Sequence, residues 1–320
     1  MAPTIRGSVS QPVYVHGATE AGPRRKNNED AFRIERFGES GVLVVVCDGM
    51  GGHADGEVAS AVGSDTLVAR LKPVEPGSLI QDFRGAFAGA HEAVRGISLD
   101  GSPGTTAVAL RVEGNLYWYA WVGDSRMYLL SDGRARALTR DHTRAEELIA
   151  GGAMTPAEAA RSPHAQALTR VLGGRAEGAA EPGTGGPVEL APGDALLLCT
   201  DGLTKMLDDE EIGPLAAGRD YRDAGGRLLQ EALDRGGHDN TTVVVVVAGS
   251  PNLNGERVHG RVKTRAVPPP ELGASSVSGG STQARPRLSR PALIAALLLS
   301  ATLMLGVLTG VFTLIFLSFH

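Results

Sequence analysis

Two uninterrupted apolar runs, Val42–Cys47 and Ala195–Cys199, each lead into an acidic residue followed by glycine, as Asp48-Gly49 and as Thr200-Asp201-Gly202. Such runs, bounded by turn residues, predict strands. A carboxylate at the end of an apolar strand lies close to the core. An unpaired charge there is costly, so the group must be neutralised, paired or bound to a cation. The glycine lets the backbone turn sharply and leaves its neighbouring carbonyl approachable. The pattern recurs at Asp239-Asn240, just before the run Thr241–Ala248, at Asp124 in Gly123-Asp124-Ser125-Arg126, and at Asn27-Asn28-Glu29-Asp30 before another strand. Any one of these is an ordinary turn sequence. Five acidic strand ends in one domain point to a shared role. Hard oxygen donors without accompanying Cys/His pairs suit Mg²⁺ or Mn²⁺ better than zinc. Paired ions of that kind activate a water and neutralise a phosphoryl group in displacement reactions.

Around these sites the sequence predicts strands at Val13–His16, Ala31–Ile34, Val42–Cys47, Thr106–Val112, Leu116–Val122, Arg126–Leu130, Ala195–Cys199 and Thr242–Ala248. Helical spacing of Ile80, Phe83, Phe87, Ala90 and Val94 marks a helix over Leu79–Gly96. Others are expected from near Glu57, at Arg144–Ala150 and at Tyr221–Asp234. Consecutive strands joined by short turns such as Glu113-Gly114-Asn115 favour antiparallel sheets with segregated helices, an α+β fold, over an alternating parallel sheet. The segment Gly173–Pro187, rich in Gly, Ala and Pro, reads as a surface excursion. Trp118 and Trp121, alternating with Tyr117 and Tyr119, read as core and surface packing. Cys47 and Cys199 read as buried packing residues, and two cysteines without a CxxC fit a reducing compartment.

Charge divides the 320 residues unequally. Residues 1–250 carry 24 basic against 34 acidic side chains, whereas the remainder has seven against two. An acidic body argues against nucleic acid as a partner and is compatible with one that holds cations. From Ala292 to Phe319 there are 28 residues without a charge or a proline. At about 1.5 Å per residue a helix of that length exceeds the roughly 30 Å hydrocarbon core of a bilayer. This predicts a transmembrane helix over 292–319. Arg285, Arg287 and Arg290 precede it and only His320 follows, so the body is expected on the cytoplasmic face of a cell membrane as a single-pass protein. Residues 250–291, with Pro268-Pro269-Pro270 and a Ser/Gly-rich run from Ser275 to Gln283, read as a flexible linker between anchor and body.

Seven short motifs occur in a recognisable order. They are Gly22-x-x-Arg25-x-x-Asn28-Glu29-Asp30, Asp48-Gly49-Met50-Gly51-Gly52-His53 with Gly56-Glu57, Gly104-Thr105-Thr106, Gly123-Asp124-Ser125-Arg126, Leu138-Thr139-x-Asp141-His142, Asp201-Gly202 and Asp239-Asn240-Thr241-Thr242. Over residues 11–249 the chain resembles the metal-dependent serine/threonine protein phosphatases of type 2C, in the form common in bacteria. The resemblance implies a four-layer αββα sandwich of two antiparallel sheets flanked by helices. It also implies hydrolysis of phosphoserine and phosphothreonine in proteins by direct attack of a water activated by two Mg²⁺ or Mn²⁺ ions. Carried over by position, Asp48 bridges the two ions, the Gly49 carbonyl binds one, and Asp201 and Asp239 bind the other. Asp124 resembles the ligand of a third ion, Glu29 and Asp30 hold metal-bound waters, and Arg25 grips the substrate phosphate.

His53 resembles the general acid only loosely. In animal relatives a histidine directly follows the Asp-Gly pair, where this chain has Met50, and His53 comes three residues later in a glycine-rich turn. His142 matches a position of the family without an assigned chemistry. The segment from Arg144 to Gly174 corresponds to the flap beside the family's active site. A serine/threonine kinase at the same membrane is a further expected partner. Two alternatives stay open at this point: a phosphoprotein-binding relative without activity, and a two-metal phosphodiesterase acting on nucleotides.

Overall fold

The computed structural model describes residues 11–51, 54–75, 77–97, 103–159, 161–175 and 178–253. The expected transmembrane helix at 292–319 and all but the first residues of the expected linker lie outside them. Among the described residues no helix is long and apolar enough to cross a membrane.

The chain opens with strands β1 (Val13–Glu20), β2 (Asp30–Phe37) and β3 (Gly41–Met50), then helices α1 (Ala54–Leu71) and α2 (Leu79–Arg95). Strands β4 (Gly104–Thr105), β5 (Ala107–Glu113), β6 (Leu116–Val122), β7 (Arg126–Ser131) and β8 (Arg134–Ala137) follow. Helices α3 (Arg144–Ala150) and α4 (Pro156–Ala159) and a 3₁₀ turn at Pro163–Gln166 form the next segment. The remainder is β9 (Gly183–Glu189), β10 (Ala195–Cys199), α5 (Asp201–Thr204), α6 (Asp209–Ala216), α7 (Tyr221–Asp234) and β11 (Thr241–Ala248). One sheet has the order β1-β11-β10-β7-β8 and the other β2-β3-β5-β6-β9, with β4 paired to the end of β3. The paired strands run antiparallel throughout.

Alternation along the strands explains the four layers. In β3, Val42, Val44 and Val46 face the other sheet and pack with Leu196, Leu198, Val244 and Val246. Leu43, Val45 and Cys47 point the opposite way, into a second core with Phe83, Phe87, Ala90 and Val94 of α2. On the far side, Leu197, Cys199, Val243, Val245 and Val247 meet Ile212 of α6 and Leu228 of α7. Both faces of β3 and β11 are therefore covered. This is why their sequences are continuous apolar runs and not the alternation of a half-exposed strand.

The expected helices at 79–96, 144–150 and 221–234 are present, and α1 begins three residues before Glu57. Two readings need correction. The segment 173–187 is not only a surface excursion, because β9 begins at Gly183 and forms the edge of the second sheet against β6. Its glycines are required by the aromatic strand beside it. A Cβ on Gly183 would lie 2.4 Å from the Trp121 ring, and one on Gly185 2.3 Å from the Tyr119 ring. The composition of a loop thus serves a strand whose neighbour lays rings across it. Tyr117, Trp118, Tyr119 and Trp121 are all buried, Trp118 in the core beneath α2 and the other three in the core between the sheets, with no surface face among them. Sequence reasoning also passed over α6, a short helix with Pro214 inside it, whose start is fixed by the Glu211 carboxylate accepting from the Asp208 N–H at 3.0 Å. Leu253, the last of the described residues, is buried against the layer that holds α6 and α7, with its N–H on the Arg219 carbonyl at 2.9 Å.

Candidate functional site

One end of the sandwich gathers the acidic strand ends. Asp30 at the start of β2 and Asp48 near the end of β3 are cross-strand partners. Asp48 is held at its backbone: its N–H donates to Thr106 Oγ1 at 3.1 Å, and its carbonyl accepts from the Thr106 N–H and Thr105 Oγ1, both at 2.9 Å. Thr106 Oγ1 is in turn 2.7 Å from Ser125 Oγ, which ties this strand end to the Gly123-Asp124 turn. The same turn is clamped from the other side by His142, whose N–H donates to the Gly123 carbonyl at 2.9 Å and whose Nδ1 accepts from the Gly123 N–H at 3.2 Å. Arg126 completes the clamp with paired 2.8 Å hydrogen bonds to both carboxylate oxygens of Asp141.

The two sheets are joined here through Asp30. Its Oδ2 accepts from Thr200 Oγ1 at 2.9 Å, beside β10, and from Thr242 Oγ1 at 2.7 Å, in β11. Asn240 performs a similar task for the loop after β1. Its amide donates to the Ala21 and Asn27 carbonyls at 3.0 and 2.9 Å, and its Oδ1 accepts from the Glu29 N–H at 2.8 Å. Asp201 and Asp239 are brought together by close backbone approach: a Cβ on Gly202 would sit 1.9 Å from the Asn240 carbonyl oxygen. Gly49 is equally constrained, its Cβ position lying 2.0 Å from the Gly56 carbonyl oxygen.

The resulting cleft has a volume of about 260 Å³ and is lined by Asp48, Asp124, Asp201 and Asp239, by Glu29 and the Gly49 backbone, and by Arg25 and Leu168. Of the residues singled out in the sequence, Arg25, Glu29, Asp48, Gly49, Asp124, Asp201 and Asp239 share this space. Asp30 lies directly behind it, and His53 falls outside the described residues. The threonines that fix Asp30 and Asp48 and the Asn240 side chain stand in the motifs without an assigned role, and Lys205 was not singled out. The signal for the first set was present as polar residues interrupting apolar strands at Thr105-Thr106, Thr200 and Thr241-Thr242.

Burial, with crowding of carboxylates second, sets the electrostatics. Burial, then the neighbouring Asp30, Asp201, Asp124 and Asp239, push Asp48 well above the carboxylate range, although its side chain is partly open to the cleft. Burial pushes Asp124 up to about 7, with Asp201 adding to the effect. Asp30 is also raised to about 7 by burial, against the opposing hydrogen bonds of Thr242 and Thr200. Asp201 is raised by burial despite Lys205 beside it. Asp239 differs: burial pushes it up, but Lys205 and Arg25 outweigh that and hold it low. Its Oδ1 is 2.7 Å from Arg25 Nη2 and its Oδ2 is 2.8 Å from Lys205 Nζ.

Among the described residues no three acidic, histidine or cysteine side chains are closed around a point that could hold a metal ion. The donor set nevertheless fits a hard divalent cation. The donors are carboxylates and a backbone carbonyl, and burial together with mutual repulsion raises Asp48, Asp124 and Asp201, which a cation would relieve. Asp201 Oδ1 and Asp30 Oδ1 are buried without a hydrogen-bond partner among the described residues. Orphaned anionic oxygens of this kind are what an ion or its waters would satisfy.

His142 gives a pH prediction independent of the carboxylates. Its ring stacks on Trp121 with centroids 5.7 Å apart, and burial lowers it from 6.5 to about 4. Between those values the unfolded chain binds the proton and the folded one does not, so stability falls as pH drops through that window. The difference in unfolding free energy between wild type and His142→Gln, measured in urea at pH 7.5 and pH 5, should shrink by about 2 kcal/mol at the lower pH. A pH-independent difference would contradict a neutral, buried imidazole.

A profile of the family described as Protein phosphatase 2C matches residues 23–240. The chain is similar to the serine/threonine protein phosphatase PstP of Mycobacterium tuberculosis, 36% identical over 233 residues, a match covering 71% of this chain and 43% of that protein. It thus spans less than half the length of that relative. Among solved structures it resembles the Streptococcus agalactiae serine/threonine phosphatase, with a TM-score of 0.68 and 30% identity over 73% of this chain and 99% of the other. It also resembles the catalytic domain of a PstP crystallised with two manganese ions, with a TM-score of 0.64 and 32% identity over 75% and 100% of the two chains.

Proposed function

The chain belongs to the protein phosphatase 2C family, and from that premise we propose that it is a Mg²⁺- or Mn²⁺-dependent hydrolase of phosphoserine and phosphothreonine in proteins. The observation that carries the proposal is the convergence of Asp48, Asp124, Asp201 and Asp239 in one cleft with an arginine at its rim. Asp48, the Gly49 carbonyl, Asp201 and Asp239 would hold two divalent ions, and Asp124 would serve a third. When bound, such ions neutralise phosphoryl charge and make a water nucleophilic near neutral pH.

The remaining work falls to this chain's own side chains. Arg25 is half-exposed and places one nitrogen on Asp239, leaving other donors of its planar fork for phosphate oxygens. Asn240 fixes the loop that carries Arg25 and Glu29, so the phosphate is positioned by a braced element. Asp30, held by Thr200 and Thr242 through one oxygen, has its other oxygen without a hydrogen-bond partner among the described residues and would use it to orient a water. His53 is the proposed donor of the proton that the departing serine or threonine oxygen requires. Leu168, from the segment after α4, gives the cleft an apolar wall.

Phosphate release from a phosphothreonine peptide, run beside hydrolysis of a nucleotide diester, tests the substrate class. Turnover of the peptide alone is expected, and turnover of the diester alone would overturn it.

We further propose that residues 292–319 anchor the protein in a cell membrane with its catalytic domain in the cytoplasm, near a kinase that makes its substrates. Support comes from the uncharged 28-residue stretch and its three preceding arginines. The full chain should stay with the membrane pellet at alkaline pH, and deletion of 292–319 should release an active protein. Retention of the deleted form would contradict the anchor.

A further inference from the structure

Lys205 stands four residues after Asp201, immediately past the last residue of α5, where its N–H donates to the Asp201 carbonyl at 2.8 Å. That turn aims its side chain back over the acidic cleft. The ammonium is 2.6 Å from Asp201 Oδ2 and 2.8 Å from Asp239 Oδ2, so one protein cation bridges two carboxylates from different elements. Arg25 occupies the other oxygen of Asp239. Both acids proposed to share an ion therefore each already give an oxygen to a positive charge supplied by the chain.

We propose that Lys205 is a tethered competitor for the divalent ion at Asp201 and Asp239, so that this ion binds only as the ammonium leaves. The inference rests on the metal-dependent reading above. A Mg²⁺ ion bound to these carboxylates would lie at about 2.0–2.1 Å from their oxygens. An ammonium kept within 2.8 Å of the same groups would then face a divalent charge across a few ångströms of partly dehydrated cleft. The lysine can yield, because about half of its side chain is exposed and its flexible stem can carry the ammonium into water. Leaving forfeits two charge-assisted hydrogen bonds, and that loss is subtracted from the affinity of the ion. The ion next to Asp48 and the Gly49 carbonyl meets no such occupant among the described residues. The two positions should therefore fill unequally, the Asp201–Asp239 position last.

The test is Mn²⁺ binding to the full chain in detergent, without substrate, by calorimetry and by the spin-resonance signal of free Mn²⁺. Wild type should show a tighter and a weaker class of sites. Lys205→Met, which keeps the stem and removes the charge, should tighten the weaker class about 10–100-fold. Lys205→Arg should leave it weak. Thermal unfolding supplies a second readout: metal-free Lys205→Met should melt below wild type, having lost the cation between two acids, and Mn²⁺ should raise its melting temperature more than it raises that of wild type. Equal Mn²⁺ affinity in wild type and Lys205→Met, or weaker binding in the variant, would overturn the inference while leaving the metal site standing. Failure of both proteins to bind Mn²⁺ would overturn the metal site and the inference together.

Discussion

Asp48→Asn should lower phosphate release by at least about 10³-fold, about 4 kcal/mol of transition-state stabilisation, while making the metal-free protein more stable. The two effects have one cause. Asp48 is surrounded by Asp30, Asp124, Asp201 and Asp239, and burial and these neighbours disfavour its charged form. The amide keeps the shape and removes the charge, which relieves repulsion when no ion is present. Because the folded-state pKa is raised, the group contributes least to folding at pH values above it. The gain in melting temperature should accordingly be present at pH 8 and be largely lost at pH 4, where the acid is protonated in the folded state and about half protonated in the unfolded one. Each kcal/mol relieved corresponds to about 2–4 °C for a domain of this size. Calorimetry of both proteins in EDTA checks this. An inactive variant that is also less stable at pH 8 would mean that Asp48 serves packing rather than charge.

The second large effect is expected at Gly202. The added methyl of Gly202→Ala would meet the Asn240 carbonyl oxygen at 1.9 Å and Thr241 Oγ1 at 2.6 Å. The obstructing oxygen is main chain at the start of the buried strand β11, so the two strand ends must part. Overpacking of this kind should cost about 3 kcal/mol or more. Asp201 and Asp239 sit on either side of that contact, so their separation would also lower activity by about 10²-fold. Gly226→Ala is the control. Gly226 is exposed within α7 with nothing near its Cβ position, and the change should stabilise the helix by about 0.5–1 kcal/mol. Urea unfolding of the two variants distinguishes them, and a Gly202→Ala protein as stable and active as wild type would refute the close approach.

The sheets were legible because β3, β10 and β11 are covered on both faces and so carry apolar runs, two of which lead into an acid and one of which follows one. The cleft was legible for the same reason, since Asp48, Asp201 and Asp239 stand where those runs begin or stop. Other parts were hidden by physics that a single sequence window does not contain. Strand β9 looked like a loop because its glycines answer to the rings of Tyr119 and Trp121, residues distant in sequence. Helix α6 was masked by Pro214 and its short length. Lys205 carried no signal of its own in the sequence. Its position four residues after Asp201 placed it near that acid, but only the packing of β11 against α5 brings Asp239 to the same ammonium.

The central claim is metal-dependent phosphatase chemistry at the Asp48–Asp201–Asp239 cleft. Its most direct test is phosphate release from a phosphothreonine peptide by the full chain, titrated with Mn²⁺ and then with EDTA, beside Asp239→Asn. Release that rises with Mn²⁺, stops with EDTA and is lost in the variant is the predicted result. Release that persists in EDTA, or in an Asp239→Asn protein at saturating Mn²⁺, would contradict it.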